Sequence, residues 1–375
     1  MTIFSVGPVE MYPRTRTILG TQEPYFRTPE FSADVLAAKD AFLTCVNAPA
    51  QAKFALLTAS GSGAMEAAVS NLVAPGDGCL VVNAGSFGAR FVDLVSHAGA
   101  RLTEIKLPFL EGDLTPAILA EAYDQAVANG EGAALKALFI QGCETSSGRL
   151  FDLATIGAFC ADHGMLFVVD AVSAFLCDEV DMQAQHIDLV LTASQKALAC
   201  TPGISLVAAG PRAVETIQRN HDHAPRYLDL VTCFINMERG QTPFTCPVAN
   251  VLAVKDRLQD IASRGVADEI AIHAARAASF RQAIAALPGR PFALPAIPLS
   301  NSCTPLVFAA GSADPDNPAP KGAKEVYRRL RYDYDLTLCP SGGANADRVL
   351  RVGHMGNLST LDYDALITAL KEVLA

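Results

Sequence analysis

No two of the ten cysteines in this chain form a C-x-x-C pair. They are Cys45, Cys79, Cys143, Cys160, Cys177, Cys200, Cys233, Cys246, Cys303 and Cys339. Most sit among apolar neighbours, and no metal-ligand spacing is present. The pattern reads as buried, reduced thiols rather than a disulfide framework, so a cytoplasmic protein is expected. Basic charge is also scarce, with 29 Lys and Arg against 39 Asp and Glu. A nucleic-acid surface needs a basic stripe, so that class of partner is set aside. A small anionic substrate needs only a local arginine and remains open. Long apolar runs are missing too. The most apolar stretch, residues 165–176, is short and interrupted by Asp170, so no membrane span is expected. The opening residues, MTIFSVGPVEMYPRTRT, lack the apolar core of a signal peptide. There is no internal repeat and no low-complexity tract beyond alanine enrichment.

Half of the 375 residues are hydrophobic and only 18% are charged. That composition buries a large core and leaves little for disorder. The length suits a large domain plus a smaller one. Short apolar runs at 79–83, 101–106, 135–141, 165–170, 187–192 and 204–208 read as strands. Between them, residues 65–73, 87–97, 116–128 and 153–163 carry helical spacing. This alternation predicts an α/β fold with a mostly parallel sheet covered by helices on both faces. Past residue 250 the pattern changes. Long helices are expected at 252–263 and 268–287, then a Pro-rich stretch and a strand at 305–310. A charged helix around 321–332, strands at 336–339 and 349–352, and a last helix at 361–374 follow. We divide the chain into a large domain, 1–255, and a smaller C-terminal α+β domain, 256–375.

Ligands bind beyond the carboxyl ends of the strands in such sheets, so residues just after each run matter most. Ser60-Gly61-Ser62-Gly63 follows a short run at 54–57 and opens a helix. Small residues let a backbone approach an anion, and the helix start offers unpaired N–H groups and positive potential. The motif is neither G-x-G-x-x-G nor a P-loop, which disfavours nucleotides. On its own it is equally well read as plain helix capping. Asp170 ends the run Phe167-Val168-Val169. It is either a helix cap or a carboxylate held against a protonated ring nitrogen, because a buried acid is costly without a partner. Lys196, in Ser194-Gln195-Lys196-Ala197-Leu198, is followed by apolar residues. It is either a snorkelling surface lysine or an amine whose pKa burial lowers, as a Schiff-base nucleophile requires. Asp170 and Lys196 are 26 residues apart, room for one helix and one strand.

In that chain order the sequence resembles the fold-type I pyridoxal-phosphate enzymes, and among them the class V aminotransferases. It is most similar to the alanine–glyoxylate and serine–pyruvate group. The matching segments are Gly7-Pro8, Ser60-Gly61-Ser62 with Ala64-Met65-Glu66-Ala67, and residues 83–90. Further matches are Glu144-Thr145-Ser146-Ser147-Gly148, Val169-Asp170-Ala171-Val172, Ser194-Gln195-Lys196-Ala197-Leu198 with Pro202-Gly203, Thr245-Cys246-Pro247, and Leu350-Arg351-Val352-Gly353. The resemblance implies a large domain on a mostly parallel seven-stranded sheet, a small C-terminal domain, and pyridoxal 5′-phosphate as cofactor. It makes Lys196 the Schiff-base lysine and proton shuttle, and Asp170 the partner of the pyridine nitrogen. Phe87 would stack on the ring where many relatives have Trp or Tyr, and Val172 would pack on the other face. Ser146, or alternatively Thr145, would bond the phenolic oxygen. Ser60, Gly61, Ser62 and Gln195 would hold the phosphate, and Arg351 the substrate carboxylate. Thr245, with Thr242 beside it, would reach the phosphate of a second subunit, which requires a homodimer with shared sites.

The cofactor site alone does not choose the reaction. The expected one moves an amino group from a small amino acid of the alanine or serine type to pyruvate or glyoxylate. Gly7 and Pro8 at the entrance suit a compact donor. Arg27, in Tyr25-Phe26-Arg27-Thr28-Pro29, is a candidate second anion contact, ahead of Arg226 and Arg239. A 2-aminoethylphosphonate–pyruvate aminotransferase is one rival. A cysteine desulfurase is another; it needs a mobile thiol, for which Cys339 and Cys303 are the candidates. A sensor or scaffold that has lost catalysis is the non-enzyme reading, against which both Lys196 and Asp170 stand.

Overall fold

Seven short segments, six of them apolar runs, become the strands of one sheet. They are β1 (Lys53–Leu57), β2 (Gly78–Asn83), β3 (Arg101–Lys106), β4 (Leu135–Gln141), β5 (Leu166–Asp170), β6 (Leu189–Ala193) and β7 (Ser205–Ala209). The computed structural model describes residues 1–129, 135–309 and 322–374. The sheet order is β1-β7-β6-β5-β4-β2-β3. β7 runs antiparallel to both its neighbours, and every other pair is parallel. Six carboxyl ends therefore lie along one edge. Alternate residues feed two separate cores: Leu56, Ile140 and Val169 point to one, Leu57, Phe139 and Val168 to the other. Burial on both faces is why the inner strands read as unbroken apolar runs rather than alternating ones, while β3, at the sheet edge, is largely exposed.

Helices cover both faces. Those that matter for the site are α1 (Pro29–Cys45), α2 (Gly61–Leu72), α3 (Ser86–His97) and α4 (Val248–Arg264). The α1 helix was not anticipated as a helix. It starts on a Thr28 side chain that accepts from the Phe31 N–H at 3.2 Å, with Pro29 in its first turn.

A smaller sheet follows, with β8 (Phe292–Ala293), β9 (Cys303–Phe308), β10 (Cys339–Pro340) and β11 (Val349–Gly353) in the order β8-β9-β11-β10. It packs with α5 (Val266–Ala285), α6 (Ala323–Asp333) and α7 (Thr360–Leu374) around a core that includes Phe280, Leu306, Val326, Leu350 and Leu366. Residue 255, where the sequence suggested a boundary, falls inside α4. Ala310 and Lys321, the outer ends of an expected strand and helix, lie outside the described residues. The run at 336–339 is not one strand. Leu336–Thr337 pairs with Thr2–Ile3 in a two-stranded parallel ladder, while Cys339 joins β11.

The amino-terminal segment links the two parts. Phe4 is buried in the small core. Its N–H donates to the Thr337 carbonyl and its carbonyl accepts from the Gly353 N–H, each at 2.7 Å. Two residues later, Val6 and Gly7 reach Lys196.

Candidate active site

Ser60, Phe87, Thr145, Asp170 and Lys196 lie at or just beyond the carboxyl ends of β1, β2, β4, β5 and β6, and all line one cavity of about 200 Å³. Gly61, Ser62, Val172 and Gln195 line it too. The shared strand direction thus gathers residues up to 136 positions apart at one point of the sheet edge. Gly61 opens α2, and a Cβ there would lie 2.8 Å from Val172 Cγ2, so only glycine lets the helix start come this close. Its first N–H groups have no partner within the helix.

Lys196 sits in the loop joining the antiparallel β6 and β7. Ser194 staples that loop: its hydroxyl donates to the Thr201 carbonyl at 2.6 Å, and its N–H donates to Ile204 at 3.0 Å. Ala199 takes a left-handed φ of 53°, and its N–H donates to the Lys196 carbonyl at 2.8 Å. The lysine is 8% exposed and donates from Nζ to the Val6 carbonyl at 2.5 Å. Burial holds its pKa below the usual lysine value. Gly7, at φ 122°, packs flat on the aliphatic stem; a Cβ would come within 2.6 Å of Lys196 Cδ.

Asp170 closes β5 and is buried. Burial pushes its carboxyl up to about 7, only partly countered by the Val172 N–H that donates to Oδ1 at 2.8 Å. A second buried acid, Glu144, was given no role from sequence. Its Oε2 accepts from the N–H groups of Phe87 and Gly88, both at 3.0 Å, which start α3. Its Oε1 accepts from the Ser146 N–H at 3.0 Å and from the Ser146 hydroxyl at 2.5 Å. One carboxylate thereby fixes Phe87 and the Thr145–Ser146 turn. The signal for it was the one used for Asp170, an acid just after a buried apolar strand.

The Glu144 clip also distinguishes the two hydroxyls expected to face the cofactor. The Ser146 proton is spent on Glu144, and Ser146 does not line the Asp170 cavity. Thr145 does, held by a 2.6 Å contact to the Ser173 hydroxyl.

A second cavity of about 320 Å³ adjoins the first through Gly7, Phe87, Thr145 and Lys196. Arg351, on β11, lines it. Its guanidinium is aimed by the Thr145 carbonyl at 3.0 Å, the Pro340 carbonyl at 3.2 Å and the Cys339 sulfur at 3.2 Å, and its buried Nε has no partner. Cys339 shares this wall but is tied into β10 beside β11, and Cys303 is fully buried in β9.

Arg27 lies outside both cavities. It donates to the Gln241 side chain and the Thr242 carbonyl, both at 2.9 Å, and so braces the loop that carries Thr245. Thr245 is exposed, whereas Thr242 is buried with its hydroxyl on the Phe244 carbonyl at 2.7 Å. Arg226 and Arg239 also stand clear of the cavities; Arg239 bonds Asn236. A larger open depression, about 680 Å³ around Tyr12 and Arg257, has its charges already paired, Arg14 with Asp256 and Arg257 with Asp260 and Glu269.

The aminotransferase class-V family model matches residues 21–298. The chain belongs to this family. It is an aminotransferase, and its cofactor is pyridoxal 5′-phosphate. Among similar proteins, a "soluble hydrogenase 42 kDa subunit" of Anabaena cylindrica is 30% identical over 85% of this chain and 79% of its own. An L-aspartate–glyoxylate aminotransferase of Paracoccus denitrificans is 24% identical over 95% and 87%. The crystal structure of an alanine–glyoxylate aminotransferase from Nostoc sp. superposes with a TM-score of 0.87 at 26% identity, covering 99% of this chain and 94% of that one. Among the described residues, no helix is long and apolar enough to cross a membrane.

Proposed function

We propose that this aminotransferase takes the amino group of a small donor, alanine or serine, and passes it to pyruvate or glyoxylate. The observation that carries the reading is the junction of the two cavities at Lys196, with Asp170 behind one and Arg351 in the other. The first cavity fits the cofactor. Gly61 leaves no room for a Cβ between α2 and Val172, and the N–H groups that open α2 beside it have no partner within the helix. Ser60, Gly61, Ser62 and Gln195 are assigned to the phosphate, Phe87 and Val172 to the ring faces. Asp170 is assigned to the ring nitrogen and Thr145, in place of Ser146, to the phenolic oxygen. When bound, pyridoxal phosphate supplies an electron sink for charge at the substrate α-carbon.

The protein's own part follows from its side chains. Burial lowers the proton affinity of Lys196 Nζ, so a neutral amine is available to form the Schiff base and then to carry the proton. Arg351, already oriented by two carbonyls, takes the substrate carboxylate through its remaining N–H groups, a planar match that lysine lacks. Among the described residues lining the second cavity, Arg351 is the basic side chain besides the reactive Lys196. One carboxylate with a compact, uncharged side chain satisfies it. This favours alanine or serine over a donor with two acid groups.

The reading includes a homodimer. Thr245 is exposed beside Phe244, which stacks on Tyr227 at 4.8 Å with both rings partly exposed, a surface suited to a second copy whose phosphate Thr245 would reach. Ten unpaired cysteines suit a reducing cytoplasm.

The test is the visible spectrum of the holoenzyme with single amino acids. Loss of the lysine-bound band with alanine or serine, with stoichiometric 2-oxo acid, is the expected result. Discharge by 2-aminoethylphosphonate alone would transfer the reading to that rival, and release of sulfide from cysteine would transfer it to the desulfurases.

A further inference from the structure

The groups assigned to the cofactor's phosphate are all neutral: two serines, a glycine and a glutamine. A phosphate monoester carries about −1.5 to −2 charge near pH 7, and a helix start contributes only roughly half a positive charge. Just behind the cradle stands Arg90, on the second turn of α3. Its Nη1 donates to the Ser62 hydroxyl at 2.6 Å, and its Cζ lies 5.0 Å from the centre of the Phe87 ring. One guanidinium therefore touches both the phosphate end and the stacking end of the site.

We propose that Arg90 is a positioning residue for the cofactor phosphate, acting through Ser62. The inference rests on the assignment of the Ser60–Ser62 cradle above. A serine hydroxyl has one proton and two lone pairs. With Arg90 donating into a lone pair, that proton is left to point away, toward the N–H groups opening α2, where the phosphate would lie. The hydroxyl becomes a relay whose direction is set by a fixed cation, and the positive charge falls on the anion at one remove. Charge-assisted bonds of this kind are stronger than neutral ones. The same guanidinium holds the face of Phe87, whose backbone N–H is already clipped by Glu144. Arginine suits this double duty because its planar group both donates in a fork and stacks.

The test compares two ligands that differ only in the phosphate. Equilibrium dialysis of the full-length protein against pyridoxal phosphate and against pyridoxal gives an affinity for each. Arg90→Gln is expected to weaken pyridoxal phosphate by 10- to 100-fold and pyridoxal by less than twofold, with Arg90→Lys between parent and Gln. In a Ser62→Ala background, Arg90→Gln is expected to add little. Equal weakening of both ligands, or full additivity with Ser62→Ala, would overturn the relay and leave Arg90 as a brace between α2 and α3. Unchanged affinity in Arg90→Gln would also overturn it. If Ser60→Ala and Ser62→Ala together leave pyridoxal phosphate binding intact, the cradle assignment itself fails. A thermal melt of each variant by circular dichroism excludes unfolding as the cause, and Arg90→Lys carries the comparison if the Gln variant does not fold.

Discussion

Lys196 is defined by what surrounds it: Gly7 on its stem, the Val6 carbonyl on its amine, burial on all sides. Lys196→Ala is expected to abolish the visible band of the bound cofactor while the circular dichroism spectrum stays unchanged; a retained band would remove Lys196 as the attachment point. Asp170 makes a prediction whose sign follows from burial. Its folded pKa, about 7, exceeds the unfolded value of 3.8. The folded state then binds the proton more tightly, and this group's contribution to stability falls as pH rises from about 4 to 7. In protein dialysed free of cofactor, Asp170→Asn should become progressively more stable relative to the parent across that window, by up to a few kcal/mol. Its turnover in the holoenzyme should fall by at least about a hundredfold. A pH-independent difference in melting temperature would refute the buried-acid argument; near-normal turnover would remove Asp170 from the ring nitrogen.

At the scale of elements, the loop between β6 and β7 holds the lysine through one side chain. Ser194→Ala removes the 2.6 Å bond to Thr201 and leaves that carbonyl with Asn250 Nδ2, at 3.0 Å, as its donor. The expected cost is about 0.5–1.5 kcal/mol, read as a lower melting temperature, together with a shifted absorbance of the lysine-bound cofactor. A normal spectrum would show that the αL turn at Ala199 holds Lys196 without the staple. The same elements show what a sequence discloses. Strands buried on both faces announce themselves as apolar runs, so β2, β4, β5 and β6 were legible nearly to the residue; the largely exposed β3 was legible from its place between two helical stretches. Direction was not: β7 is as apolar as its neighbours, and only its partners make it antiparallel. The split of residues 336–339 between two ladders was equally hidden, because competition between partners leaves no local pattern. Site residues after strand ends were readable for the same reason the strands were. Glu144 and Arg90 were not assigned, since one acts on backbone N–H groups and the other through a serine hydroxyl, and neither contact leaves a spacing in the chain.

For the whole molecule, Arg27 lies outside both cavities of the chain and donates to the loop bearing Thr245, and we propose that it supports that loop. Arg27→Ala is expected to leave the Michaelis constants of alanine and of a dicarboxylate in the same ratio, and to weaken self-association severalfold in sedimentation velocity. A changed ratio with an intact dimer would return Arg27 to the substrate pocket.

Residues 2–7 belong to both halves at once: paired with Leu336–Thr337, laid along Gly353, and ending against the lysine. For anyone preparing this protein, the choice of affinity tag is then not neutral. A handle fused ahead of this segment pulls on a cord fastened to the reactive amine, so activity measured on such a fusion reports the handle as well as the enzyme.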